Sequence, residues 1–513
     1  MSIQSRTYNS LRNSFVALVF YVVNLLLQFA SRKVFLDCLG EDLLGLNSTI
    51  NSILQFLNIA EMGVGTAIAC TLYTPLKENN QVAINEIVSL HGWLYEKIAK
   101  VIIIGGVVLM CFFPMIFGKT SLPIGYSYLT FVVLLFGALL GYFVNYRQVL
   151  LSASQQEYKV QLSYKLVMLL KIAVQIVVLR GCHLGYVYWI IIEALFAIIA
   201  AISLNFTIRR SFPLLQTDKS QGNILRKKYP GVTTKVGQLF FHKIGTFALT
   251  QMSPIVIYAY TSLGMVAKYS NYMLVVTGLT QLLIAMFDGL SASVGNLVAE
   301  KDTEKTIKIF RELFSVRFVL VSTFSVVLYL LMEPFISLWV GENFLLSTRT
   351  LLFIVVIFYL NTIRNVVDSF IHAYGLFGDI WAPVIEASLN IGLSFLIGYY
   401  MGLDGVLLGV IISLFIIIFL WKPYYLFSRG LKVSIWLYIR MYAKHTLIFA
   451  LSVVAFYYSV YQWSNLVECW IDFLLNGVYW TLSLLAMLGL CALAVEQGMR
   501  DFVNRIYRLL VRK

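Results

Sequence analysis

Long apolar runs recur from one end of this chain to the other, and they constrain its fold more than any motif does. A stretch such as "LDGVLLGVIISLFIII", Leu403 to Ile418, is too continuous for the alternating segments of about 10 residues that build a membrane β-barrel. It approaches the roughly 20 apolar residues that an α-helix needs to span a bilayer. Fourteen candidate spans are centred near Val22, Leu57, Gly106, Leu134, Leu170, Phe196, Ala248, Leu282, Val321, Val356, Ser394, Ile412, Leu451 and Leu484. Charged residues make up 12% of 513, about half the ~25% of a soluble domain. Mean hydropathy is +0.81. The expected class is an all-α membrane protein with about 14 transmembrane helices.

The first run, Phe15 to Ala30, is longer than a signal-peptide core and has no small-x-small cleavage site after it, so it is expected to be retained as a span. The six cysteines form no CxxC pair and no metal spacing, and no cofactor is expected. A net charge of +14 would suggest nucleic acid in a soluble protein. Its distribution points elsewhere. With a cytoplasmic N-terminus and fourteen spans, inside segments hold 30 Lys or Arg and outside segments hold five: Arg32, Lys33, Lys119, Arg180 and Arg349. Four more, Lys171, Lys243, Lys268 and Arg364, fall within spans. This bias follows the positive-inside rule, places both termini in the cytoplasm, and removes the need for a nucleic-acid partner.

The longest inside segment, "RRSFPLLQTDKSQGNILRKKYPGVTTK" from Arg209 to Lys235, carries seven cations and separates spans six and seven. Weak similarities link the halves on either side of it. "CLGEDLLGLN" aligns with "SLGMVAKYSN", matching Gly40 to Gly264 and Asn47 to Asn271. At nearly the same offset Glu61 meets Asp288, and "LGYVYWIIIEALFAII" aligns with the Leu403 run at a similar one. Such duplication is common in transporters. The expected organisation is a six-helix bundle over 1–208, a basic linker over 209–235, a second six-helix bundle over 236–430, and two further spans with a basic tail over 431–513.

Charges inside a bilayer are costly, about 2.5–3.5 kcal/mol each on insertion scales, and usually face a bundle interior or a wet cavity. Glu61 is followed by Gly63, Gly65, Thr66 and Ala67, small residues that permit close helix approach or bending. Glu61 and Asp288 admit two readings: hydrogen bonding between helices, or ion coupling to H+ or Na+ through a carboxylate that binds in one state and releases in another. Arg364, Asp368 and His372 recur every four residues and share a helix face. They form either a local ion pair or a cavity wall where Arg364 meets an anion and Asp368 tunes it. Lys243 either snorkels to the cytoplasmic interface or faces the polar path, Arg12 either orients the chain or enters that path, and Lys268, which begins span eight beside the polar run "KYSNY", either snorkels or meets a polar, anionic group. Lys171, Glu193 and Glu386 complete the intramembrane charges.

The stretches "LLGLNSTINSILQFLNIAEMGVGTAIACTLYTPL" (Leu43 to Leu76), "FHKIGTFALTQMSPIVIYAYTSLGMVAKYSNYMLV" (Phe241 to Val275), "SVGNLVAEKD" (Ser293 to Asp302), "EPFISLWVG" (Glu333 to Gly341) and "WKPYYLF" (Trp421 to Phe427) resemble the polysaccharide flippases. These O-antigen and capsule exporters share a fold with multidrug and toxic-compound extruders. The resemblance implies two six-helix bundles arranged as a V, with alternating access rather than enzymatic chemistry. It also implies a substrate of oligosaccharide linked through pyrophosphate to a polyprenyl lipid, in a bacterial inner membrane. The implied partners are a polysaccharide polymerase and a chain-length regulator, besides membrane lipids.

On that reading Arg12, Asn47, Lys243, Lys268, Asn271 and Arg364 are candidates for the substrate path, and Glu61, Asp288 and Asp368 for ion coupling. A MATE-type drug or cation exporter is the nearest rival, although Asn13 to Phe35 lacks the acid that such extruders often carry in their first span. A membrane polymerase or glycosyltransferase is a more distant one. The chain has no D-x-D, and even its longest outside loop, around Glu333 to Arg349, is short.

Overall fold

The computed structural model describes residues 3–511, apart from 62, 183–184, 233–235, 238–251, 301, 377, 380 and 465–466. The described residues fold into helices and connecting turns, without a strand. The physical reason is general: in hydrocarbon every backbone N–H and C=O must find its partner within the protein, and a helix satisfies both internally.

The chain divides into two compact units, Met1–Ala267 and Lys268–Lys513. In the first, α1 is Ile3–Leu39, α2 Glu41–Leu57, α3 Val64–Glu78, α4 Gln81–Cys111, α5 Ile124–Phe143, α6 Glu157–Cys182, α7 Tyr186–Ser211, α8 Gly222–Lys228 and α9 Ser253–Tyr260. Helix α10, Leu263–Ala299, begins in the first unit and continues into the second. The second unit adds α11 Thr303–Val340, α12 Thr348–Ile363, α13 Asn365–Ala373, α14 Trp381–Leu414, α15 Trp436–Ser459, α16 Trp470–Val495 and α17 Gln497–Val511. Thirteen of the fourteen expected span centres lie on these helices. The other, Ala248, lies outside the described residues. Nine helices are long and apolar enough to cross a membrane, counting only described residues.

Two breaks have local causes. The apolar run around Leu57 is not one helix but two, because α2 ends in a short 3-10 turn, Asn58–Glu61, and Gly63 adopts a φ of 96° before α3 starts. Only glycine reaches that left-handed conformation cheaply, so the sequence breaks its helical path beside Glu61. In α14 the break is Gly402, with φ 58° and ψ −131°. The chain folds back at this residue into a tight hairpin. Gly405 makes the close approach possible, since a Cβ there would lie 2.3 Å from the Ile397 carbonyl oxygen. Ser394 Oγ donates to the Val406 carbonyl at 3.0 Å across the same contact. Small residues at helix interfaces serve this purpose within membranes.

The core of the second unit is aromatic. Phe310, Phe314 and Phe318 on α11 pack with Phe370 on α13, with Phe427, and with Tyr438 on α15. Phe310 and Phe370 meet edge-on at 5.1 Å. Helix α16 adds Trp480, Leu484 and Leu488 against Val319, Val327 and Leu331 of α11. In the first unit the basic segment after α7 is docked on α4. Lys228 and Tyr229 both donate to Glu86, at 2.7 and 2.6 Å. The Asp218 amide donates to Ser89 Oγ, and Lys219 sits 4.5 Å above the Tyr146 ring.

Candidate functional site

Glu61 stands at the broken end of α2, where its carboxylate is held by two phenols from neighbouring helices. Tyr95 of α4 donates to Oε1 at 2.6 Å and Tyr142 of α5 donates to Oε2 at 3.0 Å. Tyr142 also reaches Asn58 Oδ1 at 3.1 Å. Charge-assisted hydrogen bonds of this kind are stronger than neutral ones. The cluster borders a cavity of about 560 Å³ lined by Asn58, Thr66, His91, Asn145 and Tyr146 among others. Among the described residues its lining includes one carboxylate and no Lys or Arg. The His91 ring lies 4.1 Å from that of Tyr95, and the Asn145 side-chain oxygen is buried without a hydrogen-bond partner. The cavity has a largely apolar wall into which one carboxylate and several neutral polar side chains are set.

A second polar pocket lies between α1, α2, α6 and α7. Lys171 pairs with Glu193 at 2.6 Å, and Gln175 donates to the other Glu193 oxygen at 3.1 Å. Asn47 accepts from the Tyr186 hydroxyl at 3.1 Å, and Tyr186 in turn shares a hydrogen bond with Thr130. Asn47, Lys171, Glu193 and Arg32 line the same space of about 340 Å³.

The third cluster belongs to the second unit. Arg364 occupies the turn between α12 and α13, and its Nε donates to Asp368 at 2.8 Å. A second guanidinium nitrogen lies 3.6 Å from Glu386 of α14. Lys422, on the helical segment after α14, meets the other Asp368 oxygen at 2.7 Å. Two carboxylates and two cations thus compensate one another, as buried charges must if they are to remain ionised. Asp368 and His372 also border a pocket of about 260 Å³ with Arg317, whose guanidinium stacks 4.3 Å from the Phe287 ring. Arg317 is 1% exposed and donates to the Thr362 carbonyl.

The remaining candidates are separate from these clusters. Arg12 is exposed and stacks over Tyr158 at 3.9 Å, while the side chain of Asn13 bonds to the backbone of Gln155 and Tyr158. Lys268 is half-buried near the start of α10. Asn271, one turn later, is fully buried with neither amide atom hydrogen-bonded. Lys243 lies outside the described residues, as does the side chain of Asp288. The four-residue spacing places Arg364 beside Asp368, as found, but it does not reveal their other partners, Glu386 and Lys422. The charge count assigns both Lys422 and Arg317 to cytoplasmic segments, and both are drawn into the interior of the second unit. The flanks of Arg317, "ELFSVRFVLV", are apolar enough to have signalled this. No local pattern marks Tyr95 and Tyr142, which lie 34 and 81 residues from the acid they hold.

Helices in this order define a class of fold, an all-α membrane architecture of the MATE-like kind. It is similar to lipid II flippase MurJ in an inward closed conformation, with a TM-score of 0.64 and 16% identity over 92% of this chain and 97% of that one. It is also similar to an inward-facing multidrug resistance MATE family transporter, with a TM-score of 0.62 and 13% identity over 82% and 99%. A bent MATE conformation matches at 0.50 and 12% identity, over 83% of this chain and 96% of that one. No family model matches the sequence, and no curated protein does.

Proposed function

We propose that this protein is a flippase that carries a polyprenyl-pyrophosphate-linked oligosaccharide from the cytoplasmic to the periplasmic leaflet by alternating access, for surface polysaccharide assembly. The reading rests on the extent of the likeness to the lipid II flippase. That match covers 92% of this chain, and the remainder is shorter than the segment 431–513. The likeness therefore reaches into the C-terminal helices. The MATE match covers 82%, and its larger remainder is long enough to contain that whole segment. A lipid-linked cargo keeps its tail in the bilayer and needs a polar path only for its headgroup. Arg12, Asn47, Lys243, Lys268, Asn271 and Arg364 are the groups we assign to that path.

For coupling, Glu61 is favoured over Asp368. Asp368 already faces two cations, which suppress its affinity for a further one, whereas the described lining of the Glu61 cavity holds none. Asp288 is retained as the corresponding acid of the second half. The protein acts in the bacterial inner membrane with both termini cytoplasmic, beside a polymerase and a chain-length regulator. The acidic Glu61 cavity also suits a cationic cargo, which favours export of organic cations as the second reading. Purified protein in proteoliposomes separates the two. Translocation of fluorescent lipid-linked oligosaccharide without cationic-dye efflux is expected, and dye efflux without lipid translocation would overturn the proposal.

A further inference from the structure

Helix α17 begins at Gln497, two residues after the membrane helix α16 ends at Val495. One of its faces is fixed. Arg505 Nε lies 3.2 Å from Glu312 of α11, a residue only 2% exposed, and Asp501 lies 3.5 Å from Lys308. Gly498 approaches the Arg311 backbone so closely that a Cβ would sit 2.6 Å from its carbonyl oxygen. Among the described side chains, helical periodicity places Val503, Ile506 and Tyr507 on the opposite face. These are 42, 40 and 64% exposed. Arg500 and Arg508, both exposed, run along one edge of that stripe. An apolar stripe edged by arginines, attached by two residues to a bilayer-spanning helix, matches the pattern of helices that lie in the membrane surface.

We propose that α17 is an interfacial helix. It lays Val503, Ile506 and Tyr507 at the acyl boundary of the leaflet where α16 ends, and sets Arg500 and Arg508 against anionic phospholipid headgroups. Because its other face grips α11, it ties the end of that long helix to the charge of the membrane surface.

The test uses full-length protein in nanodiscs of phosphatidylcholine, alone or mixed with phosphatidylglycerol, read by amide hydrogen exchange over 497–511. The anionic lipid is expected to slow exchange at least about fivefold, the effect of roughly one surface arginine. The Arg500→Gln, Arg508→Gln variant should lose this dependence while exchange across 303–340 stays unchanged. A photoreactive benzoylphenylalanine in place of Tyr507 should cross-link to lipid. Equal exchange in both lipids, or cross-linking to a protein in place of lipid, would overturn the proposal. If the arginine variant unfolds α17, the lipid comparison on the native chain and the cross-link still decide it.

Discussion

Glu61 and Arg364 are both charged groups at breaks between apolar helices, and their surroundings differ. The carboxylate of Glu61 is held by neutral phenols beside a cavity. Glu61→Gln is expected to leave the protein in the membrane at normal abundance and to impair transport; unchanged export over a range of pH would remove Glu61 from coupling. Tyr95→Phe removes one bond to a charged acceptor and should lower stability by about 1.5–3 kcal/mol, seen in the melting of detergent-purified protein. Arg364→Ala leaves Glu386 buried beside a vanished partner and should cost about 3–5 kcal/mol. Lys100→Ala, at the exposed pair with Glu96, should stay within about 1 kcal/mol in the same assay. Glu61 could be read from the sequence because an acid in an apolar run stands out. The tyrosines that hold it could not, since phenols are common throughout the chain and the contact is made between three helices. The depth of Lys422 is hidden for a related reason: the helix before it continues through Trp421 and carries into the interior a lysine that the charge count places in an inside segment.

Elements in this fold are shaped by small residues and by the linker. Gly405→Ala forces a methyl group into the Ile397 carbonyl and should destabilise by about 1–3 kcal/mol, whereas Gly392→Ala, where a Cβ meets nothing, should be near neutral. Melting of the two variants side by side measures the difference. The docked linker gives a pH dependence. Bonds from Lys228 and then Tyr229 hold the Glu86 carboxyl below its usual range, against a smaller cost of burial. Burial, with the bond to Glu86, pushes the Tyr229 phenol up to about 12. A depressed carboxyl stabilises fully above its ordinary value and loses that contribution as pH falls through the lowered one. Limited proteolysis of the linker should therefore accelerate on acidification below the ordinary glutamate range, and Glu86→Gln should be cleaved readily at neutral pH. The linker's existence was legible in its Pro, Gly and lysines. Its attachment was not, because Glu86 and Ser89 carry no mark of partners that lie so far along the chain.

Across the whole molecule, hydropathy conveyed the class and the long helices, since lipid imposes the same length and apolarity on each span, but not short or surface helices such as α3, α8, α13 and α17. It could not convey rotation, which decides whether a charge meets a cavity or a neighbour. The C-terminal spans illustrate this. Trp480, Leu484 and Leu488 of α16 look like any lipid-facing residues in the sequence, yet they are buried against α11, and His445 of α15 bonds to Ser315. A chain ending after Gly430 is expected to aggregate or fail to accumulate, checked by size-exclusion of the detergent extract. A monodisperse truncated protein would mean that these helices are dispensable for folding.

The one-glycine reversal at Gly402 bears on how the chain is made. With no residues to spare between Met401 and Leu403, the folded arms have no tether along which to separate. Insertion of both arms as one object, carrying Asp404 with them, is the expected consequence. A tag or protease site placed there would interrupt biogenesis rather than report on topology.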